Sequence, residues 1–317
     1  MTAPLGPRFQ LIEETTWEAL ARDGRQAPFE RPVLVKGGLR HWPAAQWSFE
    51  SLARLQNADG RQLTTKFTDG LVEQGLTQGR PYLPVEPYLR ELMPAEQAPE
   101  LDTGLLPLSR RRQLAPGESF HLDWAYMQSF QANRLYLAQW DILKQFPQLR
   151  RDFDLGDLWP GRRWTWEFVF IGPARTVTGL HNDFPHNWFC QLRGVKEFIL
   201  FPPDQSPHLC PAQKYDWGAT LSDINISRLP EQPHELAQFE QASGLYARVE
   251  AGDALFIPKR TWHSVVSLLP SISLGVFGLT ASEVLTGGAW ATWLDTLHHL
   301  HLYRWGNCTC HRALQMR

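Results

Sequence analysis

Short apolar runs that end at glycine or proline fill the second half of the chain. Residues 164–171 alternate as a strand and stop at Gly172-Pro173. Residues 175–180 form a second strand that delivers His181 at its end. Residues 188–192 and 196–200 flank Gly194 and read as a hairpin. Runs at 246–249, 254–257, 263–268 and 272–277 complete a set of short strands. Their spacing predicts a mainly β fold, an antiparallel barrel or double-sheet jelly roll.

Earlier positions are more mixed. Thr15 to Glu18 has the form of a capping box, residues 31–36 are strand-like, and Ser48 can cap a helix through Leu55. Residues 61–67 read as a strand and 85–93 as a helix, while 94–119, rich in Pro, Arg and Gln, read as loop. Residues 134–138 alternate as a strand, and 141–153 read as a helix broken at Pro147. The stretch 202–240 is a long connection. From Ser282 onward the pattern is helical, and Leu285, Trp290, Trp293, Leu294, Leu297 and Leu300 make an apolar stripe placed to cover the open end of the barrel. These shifts divide the chain into an N-terminal α/β segment (1–133), a jelly-roll core (134–280) and a C-terminal helical segment (281–317), with loops 94–133 and 204–245 as the expected entrance.

Composition narrows the function. Of 317 residues 43% are hydrophobic and 20% charged, enough apolar mass for a sizeable core. With 31 basic against 33 acidic residues, nucleic acid is not the default partner. No apolar run approaches the roughly 20 residues of a membrane span. The first residues lack a signal peptide's basic start and apolar centre, and four cysteines make no disulfide framework, so a cytoplasmic location is expected.

The chemistry gathers between Thr178 and His263. His181 and Asp183 are alternate residues of one strand and share a face. With His263, expected from a strand on the facing side of the roll, they offer two imidazoles and one carboxylate, a facial set that leaves iron three open positions. Zinc can use the same residue types. Lys196, two residues after Gly194 on the strand expected to pair with residues 188–192, can face inward and pair with a carboxylate. Thr178 and Tyr136 add hydroxyls, and Asn187 an amide. Trp188, Phe189, Phe198 and Trp262 are candidates for an apolar wall. His186, five residues after His181, either supports the site or is simply exposed. His298, His299, His301, Cys308, Cys310 and His311 gather metal-capable groups without a common zinc spacing.

Taken together, Thr178-x2-His181-x-Asp183-x3-Asn187-x8-Lys196, then Phe201-Pro-Pro-Asp204 and Gly252-Asp-x-Leu-Phe-Ile-Pro-x4-His263, resemble the JmjC/cupin-like family of Fe(II)- and 2-oxoglutarate-dependent oxygenases. The asparaginyl-hydroxylase branch is the nearest in motif, and residues 134–137 resemble its Tyr-bearing stretch. The resemblance implies a double-stranded β-helix flanked by N- and C-terminal helices. It implies Fe(II) on His181, Asp183 and His263. It implies 2-oxoglutarate on Lys196, Tyr136 and Thr178, with Asn187 near its other end, and O2 as the oxidant. Succinate and CO2 would accompany hydroxylation of a side chain in a peptide or protein. A free small-molecule substrate and a non-catalytic metal-binding cupin are the alternatives. C-terminal helices pair in that branch, which implies a homodimer here. That branch also places an Asn on the strand after the last His. Residues 271–277 have none, leaving Ser273 as the substitute or a different hold on the co-substrate's end.

Overall fold

A computed structural model describes residues 6–27, 29–57, 59–68, 82–96, 102–128, 135–156, 158–159 and 164–308. The strands, in chain order, are β1 (Arg8–Leu11), β2 (Glu13–Thr15), β3 (Val33–Val35), β4 (Thr64–Lys66), β5 (Tyr82–Pro84), β6 (Leu137–Trp140), β7 (Trp164–Gly172), β8 (Val177–Asp183), β9 (His186–Arg193), β10 (Val195–Phe201), β11 (Ala219–Leu221), β12 (Ser243–Glu250), β13 (Ala254–Ile257), β14 (Trp262–Ser267) and β15 (Ser271–Leu279). The helices are α1 (Trp17–Arg22), α2 (Phe49–Ala53), α3 (Val85–Glu96), α4 (Leu108–Arg111), α5 (Trp124–Gln128), α6 (Ile142–Gln145), α7 (Pro233–Phe239), α8 (Ala281–Glu283) and α9 (Ala289–His299).

Two sheets face each other, one in the order β1-β12-β10-β14-β8-β11 and the other β2-β3-β13-β9-β15-β7-β6. Successive strands from β7 to β10, and again from β12 to β15, alternate between the sheets. The chain therefore winds as a double-stranded β-helix, a jelly roll. Between the sheets Phe189, Phe198, Leu255, Ile257 and Val265 belong to one buried apolar cluster.

Gly194 corrects the expected hairpin. β9 pairs with β13 and β15, and β10 with β12 and β14, so the two strands lie in different sheets. Both strands are buried over nearly their whole length, and an apolar run cannot tell a folded-back turn from a crossing. The crossing needs glycine: Gly194 has φ +80°, and a Cβ there would meet the Pro270 carbonyl oxygen at 2.3 Å.

Much of the described length of loops 94–133 and 204–245 covers the outer face of the β10–β14 sheet, while residues 216–221 border the metal motif. Leu105, Leu106, Phe120, Trp124, Leu209, Ile224 and Phe239 pack there against Ile199, Phe201 and Trp262. Glu197, turned outward from β10, anchors this layer by accepting the Leu105 N–H at 2.7 Å and the Tyr246 hydroxyl. Residues 94–119 contain α4, and the long connection after Pro202 supplies β11, which pairs with the metal-motif strand β8.

Helix starts follow their caps. Thr16, one residue later than expected, accepts the Ala19 N–H at 3.2 Å, and Ser48 makes a reciprocal box with Ser51. The helical tract at 141–153 does change at Pro147, from α6 to a 3-10 segment (Pro147–Asp152). At the C-terminus Leu285, Trp290, Trp293 and Leu300 of the apolar stripe are exposed, while Leu294 and Leu297 are half-buried. No helix among the described residues is long and apolar enough to cross a membrane.

Candidate metal centre

His181 and Asp183 project from the same face of β8. His263 stands directly across from His181 on β14, which is the neighbouring strand of the same sheet and not, as expected, a strand of the facing one. Cross-strand neighbours place their side chains within reach more tightly than facing sheets do. The three ligand atoms lie within 4.8 Å of one another. Asp183 Oδ2 is 3.9 Å from His181 Nε2 and 3.8 Å from His263 Nε2.

The backbone sets both tautomers. His181 Nδ1 lies 2.7 Å from the Gly179 carbonyl and His263 Nδ1 3.0 Å from that of Thr261. A carbonyl only accepts, so each Nδ1 carries the proton and each Nε2 lone pair faces the common point. A register shift between His263 and Val265 relative to β8 accommodates Gly179. Two further backbone bonds hold the motif: Arg260 N–H donates to the Asp183 carbonyl (2.6 Å) and Phe184 N–H to that of Gly218 (2.7 Å).

Electrostatically the cluster wants a cation. Burial pushes the Asp183 carboxyl up, opposed by His181 and reinforced by Asp216. Burial, with His181 beside it, holds His263 well below the usual imidazole range. Neutral imidazoles and a carboxylate short of positive charge are a ready donor set for a divalent metal.

Deeper in the roll lies a second polar pocket. Lys196 is 2% exposed on the inner face of β10. Its ammonium sits 5.1 Å from the Phe189 ring and 5.9 Å from that of Tyr136, and among the described residues no carboxylate pairs with it. Burial pulls its pKa down to about 7. Burial pushes the Tyr136 hydroxyl up, opposed by the Thr178 side chain beside it. Asn187 Oδ1 is buried with no hydrogen-bond partner. A buried cation without an anion and a buried acceptor without a donor are each costly alone. A dicarboxylate bound there relieves the first, and it can engage the Asn187 amide only through the Nδ2 donor, with the amide turned. The buried ammonium is what fits 2-oxoglutarate beside a metal.

The sequence profile of the cupin-like domain family matches residues 25–277. The chain belongs to that family. Among its relatives, Jumonji C domain-containing protein 5 of Drosophila melanogaster is 31% identical over 150 residues, 44% of this chain and 35% of the relative. The bifunctional peptidase and (3S)-lysyl hydroxylase of Homo sapiens is 26% identical over 257 residues, 74% of this chain and 73% of the relative. The tRNA wybutosine-synthesizing protein 5 of Gallus gallus is 28% identical over 137 residues, 43% of this chain and 41% of the relative. The chain spans about a third of the fly relative's length.

Within this cupin-like roll the other sequence candidates divide. Phe189 lines the Lys196 pocket and Phe198 packs against it, but Trp188 and Trp262 face outward, donating to the Leu158 carbonyl and to Ser206. Ser273 spends its proton on Gln191 Oε1 at 2.8 Å, so it is no substitute for the missing Asn donor. His186 is a buried clamp: Nδ1 accepts the Lys259 N–H, and Nε2 meets Glu283, which caps α8. In the C-terminal group His298 bonds the Tyr303 carbonyl and stacks on Tyr215, while His301 stacks on Trp305. Among the described residues no metal cluster forms there, and Cys310 and His311 lie outside them. The sequence reading missed Phe168, Phe170 and Phe277, which line the inner wall. Their signal was present as Trp164-x-Trp166-x-Phe168-x-Phe170, a period-2 aromatic run on one face of β7.

Proposed function

We propose that this protein is an Fe(II)- and 2-oxoglutarate-dependent dioxygenase that hydroxylates an amino-acid side chain in a peptide or protein. The observation that carries this reading is the buried, carboxylate-free Lys196 on the inner face of the roll that also bears the His181, Asp183 and His263 cluster. A cupin that merely held a metal would have no use for a desolvated ammonium.

In this reading His181 Nε2, His263 Nε2 and a carboxylate oxygen of Asp183 hold the iron. Lys196 takes the distal carboxylate of 2-oxoglutarate with help from the Tyr136 and Thr178 hydroxyls, and Asn187 contacts its other end. Iron and 2-oxoglutarate, when bound with O2, supply the oxidising chemistry, with succinate and CO2 as co-products of hydroxylation. The chain's own part is geometric and electrostatic. The Gly179 and Thr261 carbonyls fix the ligand tautomers, the Lys196 ammonium is held for an anion by its apolar surroundings, and Phe170 and Phe189 exclude water from the pocket.

The test is succinate formation from 2-oxoglutarate by the purified protein with Fe(II) and ascorbate, alongside 2-oxoglutarate binding to the Mn(II)-loaded protein. Succinate or binding that disappears in His181→Ala supports the reading. Failure of the native protein in both assays defeats it.

We further propose a homodimer through the C-terminal helices, supported by the exposed Leu285, Trp290, Trp293 and Leu302 and by the Trp290–Trp293 pair at 4.7 Å. Light scattering should give a dimer mass for the native chain and a monomer mass for Trp290→Glu. A cytoplasmic location belongs to the same proposal and is in keeping with the free thiols of Cys190 and Cys210.

A further inference from the structure

Resting on the oxygenase reading, we propose that the Trp164–Phe168 half of β7 is the substrate-docking edge, and that its occupant is an extended polypeptide segment added to the sheet as one more strand. β15 pairs with all nine residues of β7, from Ser271 opposite Gly172 to Leu279 opposite Trp164. On the other side β6 pairs only with Ile171 and Val169. Among the described residues no strand pairs with the outer edge from Trp164 to Phe168. Backbone donors and acceptors along such an edge are matched by another extended chain, and a small molecule does not supply that repeat.

The side chains on the inner face continue from the co-substrate pocket to the surface. Phe170 lies 6.4 Å from Phe189 and 6.5 Å from Tyr136, the two rings that surround the Lys196 ammonium. Phe168 lies 6.1 Å from Phe277, and Trp166 stacks on Phe277 at 6.0 Å and 13°. Trp164 ends the row, 55% exposed. From Trp164 to Phe170 the strand covers roughly 20 Å, long enough to support several substrate residues while one side chain reaches inward toward the metal ligands. Behind the row, Val169 and Ile171 are buried, and Glu167 is paired with Arg150 at 2.7 Å, so the back of the strand is fixed. Aromatic rings can also take nucleobases. The only charged side chain of β7 is Glu167, turned to the other face, but Arg162 and Arg163 precede the row in the sequence, so charge does not decide the occupant. An edge to which no strand is paired among the described residues is matched by polypeptide backbone and not by a nucleic-acid strand.

The experiment pans a random-peptide library on the Mn(II)- and 2-oxoglutarate-loaded protein, with single-stranded oligoribonucleotide as the second probe. Selected peptides are expected to lose about tenfold in affinity with Trp164→Ala, an exposed position whose change does not threaten folding. N-methylation of the selected peptide is expected to weaken binding at alternate residues only, the signature of strand pairing. Affinity for 2-oxoglutarate is measured in each variant as the check that the pocket is intact. No enriched peptide, a peptide indifferent to Trp164→Ala and to N-methylation, or preferential binding of the oligoribonucleotide would overturn the docking proposal while leaving the oxygenase reading in place. Loss of 2-oxoglutarate binding by the native protein would overturn both.

Discussion

Replacing Lys196 with methionine should make the protein more stable and abolish its binding of 2-oxoglutarate. The ammonium is fully buried, and its pKa falls from the usual lysine value of 10.5 to about 7. At roughly 1.4 kcal/mol per pKa unit, keeping the charge in place near neutral pH costs about 4–5 kcal/mol. Relaxation and water entry reduce what a substitution recovers, so Lys196→Met should gain about 2–4 kcal/mol in the metal-free protein. For a chain of this size that is a rise in Tm of about 3–6 °C. The gain has a defined pH dependence. Below pH about 7 lysine is charged in both states and the cost is full. From about 7 to 10.5 the folded protein has released the proton that the unfolded chain still binds, so native stability rises with pH and the variant's advantage shrinks toward zero. Thermal denaturation of both proteins across that range, with calorimetric titration of 2-oxoglutarate into the Mn(II)-loaded forms, reads both effects. A destabilised Lys196→Met, or one that binds 2-oxoglutarate like the native protein, would refute the idea that this ammonium is kept for a ligand.

Further perturbations report on other parts of the account. Tyr136→Phe removes the hydroxyl beside Thr178 and should weaken 2-oxoglutarate binding about tenfold with little change in metal affinity, by the same titration. Gly194→Ala forces a side chain into φ +80° and onto the Pro270 carbonyl, and should cost about 2–4 kcal/mol in urea unfolding. Glu283→Ala removes a cap, the Lys259 ion pair and the His186 contact, with an expected loss of about 1–2 kcal/mol at pH 7. The Glu283 carboxyl is held down to about 2, so its contribution is present above the usual carboxylate range and should fade as pH falls toward that value, closing the gap between variant and native protein.

Much of the site was legible because strand parity is strict. His181 and Asp183 had to share a face, and Lys196, Phe198 and Leu200 did turn inward together. What the sequence could not convey was which strands become neighbours. The step from β9 to β10 has the local grammar of a hairpin, and only the approach of Pro270 from a distant part of the chain shows why Gly194 sends the strand into the other sheet. His263 was likewise assigned to the facing sheet because nothing local pairs β14 with β8. Asp253 illustrates the same limit: it accepts Gly37 N–H at 2.8 Å and pairs with Lys36 at 2.6 Å, tying the turn before β13 to residues near the start of the chain. The aromatic row of β7 was visible as alternation, but its exposure depends on where β6 stops. The C-terminal stripe shows the converse, since helical periodicity identifies an apolar face without saying what covers it.

The most direct test of the central claim is an anaerobic titration of the Fe(II)-loaded protein with 2-oxoglutarate, followed by the visible charge-transfer band that a chelated 2-oxo acid gives with ferrous iron. A saturable band with one equivalent of 2-oxoglutarate is expected for the native protein, and none in His181→Ala or Lys196→Met. If the native protein binds Fe(II) but gives no band at saturating 2-oxoglutarate, the buried ammonium and the metal cluster do not form one co-substrate site, and the oxygenase assignment is wrong.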